Sequence, residues 1–242
     1  MKKIIAILIL GLFSIGEFHG QDLKKMQFQV DFGTTLTIPY ENSIETLPGF
    51  ERNPQTDYGS GFGYFFEILM SYNLNSNYAI STGLNYNYLS LKITDKAGFK
   101  ENKGDLTTSY LTFPVWITYR LSEKIPLKVS AGPYLSVLIG ANEQGTTSLD
   151  TDGMQFDSPD PLLLIDPEYK YDTDIKKDYT SIDYGFSIQL DYEIPLSQKL
   201  TGVVLSRFNY GLKNVLTNDL ANKSLANEWK NYNIMFGLGL KF

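Results

Sequence analysis

Hydrophobic residues alternate with small or polar residues along most of this chain, and the clearest run lies at its end. From position 232 to 242, aromatic and aliphatic residues occupy every second position, with asparagine, methionine, glycine and lysine between them. Successive side chains of a strand point to opposite faces, so this run predicts a strand with one apolar face. Little chain remains to cover that face, so we expect a strand of a closed membrane barrel in contact with lipid.

Seven further runs alternate in the same way, which gives eight predicted strands. Each is long enough to cross a bilayer as a tilted strand, which takes about 9–11 residues. The third run is interpreted as changing register near Leu89. Pro114 and Pro133 interrupt two other runs and are expected to mark bulges, because proline cannot donate to a β-ladder. The predicted strands are 27–38, 61–73, 77–94, 107–121, 126–141, 179–194, 198–215 and 232–242.

The connections between these strands alternate in length. Short connections follow strands two, four and six, at 74–76, 122–125 and 195–197. Long connections follow strands one, three, five and seven, at about 39–60, 95–106, 142–178 and 216–229. This alternation predicts an all-β fold, an eight-stranded antiparallel transmembrane β-barrel with short periplasmic turns and long extracellular loops. A soluble ligand-binding barrel, the alternative closed fold, needs its apolar residues inside.

The start of the chain is interpreted as a secretory signal peptide at residues 1–20, followed by one barrel domain at 21–242. Lys2 and Lys3 precede an apolar run from 4 to 13, which is too short to span a bilayer as a helix. Cleavage after Gly16 and cleavage after Gly20 both remain open. A signal peptide implies export, and export followed by barrel insertion predicts a location in the outer membrane of a Gram-negative cell.

Composition narrows the possible functions. The chain has 21 basic and 27 acidic residues, and this acidic balance argues against a nucleic-acid partner, which needs a basic face. There is no cysteine, and the only histidine is His19, within the predicted signal peptide. The usual general base of catalysis near neutral pH is therefore missing from the predicted barrel. We expect no enzyme activity, no catalytic residues and no cofactor.

Polar and charged residues occupy the face opposite the apolar one. An eight-stranded barrel is just wide enough for side chains to fill its lumen, and buried charges must pair. We therefore interpret these residues as a structural polar network across the lumen, and a narrow gated ion path lined by the same residues is the alternative. The candidates are Asp31, Glu67, Arg120, Lys128, Asp183, Gln189, Asp191, Glu193, Arg207 and Lys241.

The third long connection, 142–178, is strongly acidic, with ten acidic residues against three lysines. Asp150, Asp152 and Asp157 form a weak calcium candidate, because the remaining spacing and the closing glutamate of a calcium loop are missing. A solvated acidic surface near the divalent cations of lipopolysaccharide is the favoured interpretation. The apolar residues 162–165 make this connection a candidate docking site for a partner protein, or a cover for the barrel mouth.

Four motifs, spread over roughly 109–242, resemble those of the PorT-like outer-membrane β-barrel family of Bacteroidetes-type bacteria. They are Ser109-Tyr110-Leu111-Thr112-Phe113-Pro114-Val115, Ala131-Gly132-Pro133-Tyr134-Leu135, Asp183-Tyr184-Gly185 and Arg207-Phe208-Asn209-Tyr210-Gly211-Leu212-Lys213-Asn214-Val215. The resemblance implies contact with outer-membrane lipid and lipopolysaccharide. It also implies insertion by the barrel-assembly machinery, with Phe242 as the assembly signal. The family's namesake belongs to a secretion and gliding apparatus.

These observations together predict a non-enzymatic integral outer-membrane barrel. Its expected role is structural or adhesive, or that of an envelope-assembly component that acts through extracellular loops. A small gated pore or transporter is one alternative. A component of a secretion or gliding apparatus, as for the family's namesake, is the other.

Overall fold

The computed structural model describes residues 25–39, 41–43, 55–97, 100–122, 125–149, 169–217 and 226–242. The predicted signal peptide, the calcium candidates Asp150, Asp152 and Asp157, and the apolar segment 162–165 lie outside these ranges. Within them the chain forms eleven strands and a short 3-10 helix at Lys176–Asp178. The strands are β1 (Met26–Ile38), β2 (Glu41–Ser43), β3 (Gln55–Asn73), β4 (Tyr78–Ala97), β5 (Lys100–Arg120), β6 (Leu127–Leu149), β7 (Tyr169–Asp174), β8 (Ile182–Pro195), β9 (Thr201–Gly211), β10 (Ala226–Trp229) and β11 (Tyr232–Lys241).

Eight of these strands close into one antiparallel ring. The order around the ring is β1, β3, β4, β5, β6, β8, β9 and β11, and β11 pairs with β1 to complete it. The other three strands lie outside the ring, with β7 paired to β6 and β2 paired to β10. The structure thus confirms the predicted eight-stranded antiparallel barrel, in which closure leaves the ring without an open edge.

The ring is apolar outside and polar inside. On β8, the even-numbered residues from Ile182 to Ile194 are exposed, whereas the odd-numbered residues from Asp183 to Asp191 are buried. The same alternation on β11 exposes Phe236 and Leu238. An apolar outer band with a polar interior is the arrangement that a bilayer requires of a barrel. Among the described residues, no helix is both long enough and apolar enough to cross a membrane.

Tight turns close one end of the ring, where the short connections were predicted. The N–H of Leu74 donates to the carbonyl of Tyr78 at 2.9 Å, and the Asn75 side chain accepts from the N–H of Tyr78 at 2.8 Å. In the last of these turns the N–H of Leu196 donates to the carbonyl of Leu200 at 3.0 Å. This end is the periplasmic one by the usual asymmetry of such barrels, and the opposite end is extracellular.

The predicted long loops are partly strands, which corrects the loop boundaries. β4 continues to Ala97 and β5 begins at Lys100, so most of 95–106 is a hairpin. β6 continues to Leu149, and its end pairs with β7 from Asn142↔Asp174 to Thr147↔Tyr169. Likewise β3 starts within the predicted loop 39–60. Backbone pairing therefore continues beyond the membrane into segments that were assigned to loops.

The predicted register change near Leu89 is present in the pairing with β3, which shifts by one residue between Ser60↔Leu91 and Tyr64↔Tyr88, but the two faces of β4 itself do not exchange. Odd-numbered residues of β4 face inward both below this position, as Asn85 and Asn87 do, and above it. What changes is the polarity of the inner face, because Leu89, Leu91 and Ile93 continue it as buried apolar residues. β4 therefore keeps its alternation of faces, and its register with β5, while it passes from a polar lumen into an apolar interior.

The prolines inside β5 and β6 do not mark bulges either. Pairing between these strands keeps one register from Pro114↔Tyr134 to Ile117↔Ala131. The register shift lies instead between Ser109 and Tyr110. The prolines only interrupt the ladder, since they lack an N–H to donate.

The barrel extends beyond its lipid-facing band at the extracellular end. Past Tyr88 on β4 and Ile139 on β6, outward residues become polar, as at Lys92 and Gln144. We call residues 90–97, 100–107 and 140–149, together with β7, the outer extension. A hydrophobic group, called here the outer cluster, fills the interior at its base. Its members are Leu89, Leu91, Leu106, Tyr110, Leu138, Ala141, Tyr179, Val215, Leu216 and Trp229.

Candidate functional site: the filled lumen

Arg207 lies at the centre of the barrel interior. β9 directs its guanidinium inward, where both terminal nitrogens bind the Glu67 carboxylate of β3, with Nη1 to Oε1 at 3.1 Å. Its Nε donates to Gln189 Oε1 of β8 at 2.6 Å. The Arg207 and Glu67 side chains are 3% and 0% exposed. A two-pronged, fully buried contact of this kind fixes three strands relative to one another.

Aromatic rings complete this level of the lumen. The guanidinium carbon of Arg207 lies 4.5 Å from the Trp116 ring centre and 5.9 Å from that of Phe65. The Trp116 indole N–H donates to Ser187 Oγ at 3.0 Å. Gly237 leaves room for Phe65, because a Cβ there would lie 2.6 Å from the ring. We call this level the Arg207 layer, and it comprises Phe65, Glu67, Trp116, Gln189, Arg207 and Met235.

Two further carboxylates surround the Arg207 layer. Asp191 accepts a hydrogen bond from Gln189 Nε2 at 2.7 Å, so Gln189 links Asp191 to Arg207. Asp31 accepts from Gln29 Nε2 with both oxygens, at 3.0 and 2.9 Å. Every one of these groups is buried. Because an amide donor satisfies each carboxylate without a full opposite charge, this level is held by hydrogen bonds as much as by ion pairing.

A second charged group lies towards the periplasmic mouth. The Nζ atoms of Lys128 and Lys241 each contact Glu193 Oε1 at 2.7 Å. Arg120 stands opposite Lys128 in the β5–β6 register and is half-buried. Two ammonium groups on one carboxylate join β6, β8 and β11 at this mouth. Asp183 belongs to neither charged group, because it lies nearer the extracellular end and accepts from Asn231 Nδ2 at 2.9 Å.

The structure therefore places all ten sequence candidates on the inner face and sorts them by height. Glu67, Gln189, Asp191 and Arg207 come together in the middle, while Lys128, Glu193 and Lys241 meet below them. Charge alone does not identify the neutral side chains that fill the remaining space in the lumen. Those residues occupy the same inward positions of the alternation, which is the signal that identifies them: Phe65, Asn85, Asn87, Tyr110, Trp116, Tyr134 and Met235.

The outer extension has its own local contacts. Tyr171 of β7 reaches across two glycines, and a Cβ at Gly104 would lie 2.9 Å from its hydroxyl oxygen. That hydroxyl donates to Glu143 Oε1 at 3.0 Å. Partial burial, followed by the hydrogen bond and the charge of Glu143, raises the pKa of Tyr171 to about 12. The phenol therefore remains a neutral donor near neutral pH and fastens β7 to β6.

This interior supports structure better than chemistry. Side chains fill the lumen at two successive levels, the Arg207 layer and the outer cluster. In the described part of the chain, no three acidic or histidine side chains are grouped so that they would hold a metal ion. Buried pairing of this kind mainly fixes which strands are neighbours, and removal of one partner leaves an uncompensated charge.

Comparisons with known proteins identify the family. Three solved structures of similar fold are a major outer membrane protein from Thermus thermophilus (TM-score 0.45, 15% identity, covering 90% of this chain and 99% of that one), OprG from Pseudomonas aeruginosa (0.43, 12%, 89% and 95%), and Neisserial surface protein A (0.40, 12%, 90% and 96%). No curated protein sequence matches the chain. Residues 20–217 match the family model described as outer membrane protein beta-barrel domain. The chain therefore belongs to this family of integral outer-membrane β-barrels.

Proposed function

We propose that this protein is a non-conducting, non-enzymatic barrel that holds its outer extension at the cell surface, in a structural, adhesive or envelope-assembly role. One observation carries the proposal. The lumen is filled at two levels, yet β4, β5 and β6 continue past the lipid-facing band as ordered sheet. A barrel built for conduction has no need of that sheet, whereas a surface scaffold does.

The filling of the lumen argues against the pore alternative. An ion on the barrel axis would have to displace the Arg207–Glu67 pair and the aromatic rings beside it. It would then meet Leu89, Leu91 and Trp229 of the outer cluster. An apolar level offers an ion no oxygen atoms to replace its water, and such levels oppose conduction. Both barriers act in series, so loss of one leaves the other.

The outer extension supplies the surface that a partner would contact. Its outward face carries cross-strand rows of charged residues whose sign alternates from one row to the next. One row contains Lys103 and Lys170, and the next contains Asp105 and Asp172. The rim of β7 presents Asp172 and Asp174 to solvent. Mixed charge on an ordered sheet gives orientation and selectivity to a protein contact more readily than raw affinity.

The proposal includes the absence of catalysis. The only histidine of the chain is His19, outside the barrel strands. The paired carboxylates Asp191 and Glu193 follow one another along β8, but Glu193 is occupied by two lysines and Asp191 by Gln189. Neither carboxylate is left to act as a general acid or base on a substrate.

The motifs shared with PorT-like proteins have a physical role in this barrel, and we propose that the chain belongs to that subgroup. Tyr134 of the second motif packs against Gly185 of the third, since a Cβ at Gly185 would lie 2.6 Å from its hydroxyl. Asp183 and Arg207 from the other motifs also point inward. These motifs thus describe how the interior is filled. They give no independent support to a role in secretion or gliding, which stays the second candidate.

Conductance measurements test the closed lumen directly. The full chain, folded in detergent and added to planar bilayers, is expected to give no stepwise currents, with a general porin as the positive control. Regular current steps from the wild-type protein would contradict the proposal and favour the pore.

The surface role needs a separate test. A photo-crosslinking residue at Lys170 of the outer extension should capture a discrete partner in intact cells, whereas the same residue at Lys199, in an exposed periplasmic turn, should not give that product. Lys199 is the matched control because both residues are exposed lysines, and they lie at opposite ends of the barrel. Identical products from both, or none from Lys170, would count against a partner at the outer extension.

A further inference from the structure

A small cavity lies in the lumen between the Arg207 layer and the outer cluster. It offers about 20 Å³ of room for the centre of a water-sized sphere, and about 10–15 Å³ is enough for one water molecule. Leu89 and Tyr110 of the outer cluster line it on the extracellular side, and Asn209 lines it below, where its amide contacts Met235 Sδ at 3.2 Å. The cavity therefore has space for one small occupant.

Three buried oxygen atoms of residues that line this cavity make no hydrogen bond of normal geometry to another protein group, although the Asn231 side chain lies close to the Tyr110 hydroxyl and the Tyr184 N–H lies close to the Asp183 carboxylate. The three atoms are Asn87 Oδ1, Tyr110 Oη and Asp183 Oδ1. Each belongs to a side chain that is more than nine-tenths buried. Burial of an unsatisfied polar atom costs free energy, and such atoms are rare in folded proteins. Three of them around one cavity indicate that something binds there.

The neighbouring hydrogen bonds show which kind of occupant would suit the cavity. Asn87 Nδ2 already donates to Thr112 Oγ1 at 3.2 Å, and Asn231 Nδ2 donates to the other oxygen of Asp183 at 2.9 Å. Each of these amide nitrogens keeps one further N–H and the Tyr110 phenol keeps its O–H, but all of these donors are neutral, whereas two acceptor oxygens, one of them on a carboxylate, are left without a donor. The site needs a donor or a positive charge.

The charge balance at the cavity distinguishes a neutral donor from a cation. No lysine or arginine is among the residues that line the cavity. Lys213 is near Asp183, but it is only half-buried and its Nζ donates to the Ile182 carbonyl at 2.8 Å. Within the part of the chain that the structure describes, Asp183 is therefore a buried carboxylate with one side-chain amide donor, a backbone N–H donor from Tyr184 and no direct ion pair. A cation would satisfy the oxygens and compensate the charge together, which a water molecule does not do.

We propose that the cavity binds a monovalent metal cation, sodium or potassium, through Asp183 Oδ1, Asn87 Oδ1 and Tyr110 Oη. One carboxylate with neutral oxygens balances a single positive charge, and oxygen atoms are the ligands that such hard cations prefer. The ion enters as the barrel folds and then ties β4, β5 and β8 together above the Arg207 layer. It acts as a structural ion and does not depend on the surface role proposed above.

The first test compares cations during folding. The full chain is refolded in sodium, potassium or N-methylglucamine chloride at equal ionic strength, and the heat-unfolding midpoint is read from the gel shift of the folded barrel. N-methylglucamine is too large for the cavity. Because a ligand that binds only the folded state stabilises it, we expect a midpoint higher by about 2–4 °C or more in sodium or potassium.

Two matched variants assign the effect to the cavity. Asp183→Asn removes the charge and should abolish the difference between cations. Asp191→Asn removes another buried lumen carboxylate that does not line the cavity, and it should keep the difference. Loss of the difference in both variants would mean a general effect of salt on the lumen, which overturns the site.

A direct count of ions covers the case in which Asp183→Asn does not fold. Wild-type barrel folded in sodium or potassium is desalted into N-methylglucamine buffer, and its alkali-metal content is measured by elemental analysis. Near-stoichiometric retention that disappears on unfolding supports the proposal. Equal midpoints in the three salts together with no retained ion would mean that only water fills the cavity, and the proposal would fall.

Discussion

The membrane-embedded barrel and the outer extension are built from the same strands with opposite polarity. Along β4, Asn85 and Asn87 point into the lumen while Leu84 points to lipid. A few residues later Leu91 points inward and Lys92 points to solvent. The alternation of inward and outward side chains continues unchanged, while the inner face becomes apolar and the outer face becomes polar. The difference teaches that a two-residue period gives the face of a side chain, and that the surroundings decide which face is apolar.

The two regions are consequently held by different forces. In the membrane the apolar residues have lipid as an equally apolar neighbour, so their burial gives little drive to close the ring. There the specificity comes from the ladders and from the Arg207–Glu67 and Glu193 contacts inside. In the outer extension water surrounds the sheet, and burial of the outer cluster supplies the usual hydrophobic stabilisation. Mutations should separate these two contributions.

The largest expected effect is in the membrane-embedded region. Arg207→Ala leaves Glu67 buried without its partner, and loss of one member of a buried pair typically costs about 3–5 kcal/mol. The measurement is the unfolding midpoint of the folded barrel in urea. Arg207→Met combined with Glu67→Leu is the control, because removal of both charges should restore part of the loss. If the double variant loses as much stability as Arg207→Met and Glu67→Leu lose together, the two residues are not coupled.

A substitution in the outer cluster should destabilise the outer extension and leave the membrane-embedded barrel folded. Leu91→Ala removes a buried apolar side chain, and such changes cost about 2–5 kcal/mol in well-packed interiors. Leu84→Ala on the same strand is the matched control, because Leu84 faces lipid. We expect limited proteolysis to cut the outer extension of Leu91→Ala faster while the heat-shifted barrel band persists. Equal protection of both variants would mean that the outer cluster does not stabilise the extension.

The lipid-facing band gives the next prediction. Ile188→Lys places a charge on the lipid face of β8, at an expected cost of about 2–4 kcal/mol near the bilayer centre. Gln144→Lys makes an outward charge beyond that band and should be nearly neutral. Folding yield into lipid vesicles compares the two. Similar yields for both would place Ile188 outside the membrane and move the boundary drawn between the two regions.

Sequence periodicity predicted the ring because one rule covers every strand in the membrane. It failed at the points where the surroundings changed. Near Leu89 an exchange of faces was inferred because the inner face was expected to stay polar, although the alternation of β4 continues there and only its pairing with β3 shifts by one residue. The segment 142–149 was assigned to a loop because most of its side chains are polar, although its backbone pairs with β5 throughout and with β7 over 142–147.

The interior was only partly predictable for a related reason. Inward charges follow from the alternation and the need to pair. Which charges meet depends on the heights of different strands around a tilted ring, and these heights are not local properties of the sequence. Arg207 and Glu67 lie 140 positions apart. The neutral cavity residues Asn87 and Tyr110 carry no charge and have no short motif, so only the assembled lumen brings their oxygens together.

The smallest expected effect concerns Tyr171 in the outer extension. Its raised pKa means that the folded state favours the neutral phenol, which donates to Glu143. Its stabilising contribution is therefore complete below pH 10, the ordinary pKa of the group, and is lost as the pH rises to about 12. Tyr171→Phe should cost less than about 1 kcal/mol at neutral pH, because the site is largely open to water. The difference in ultraviolet absorbance between wild type and Tyr171→Phe should titrate near pH 12, and a free tyrosine derivative in the same detergent is the control. A difference spectrum for Tyr171 that titrates near pH 10 would mean that Glu143 does not hold the hydroxyl, and β7 would then rest on its ladder with β6 alone.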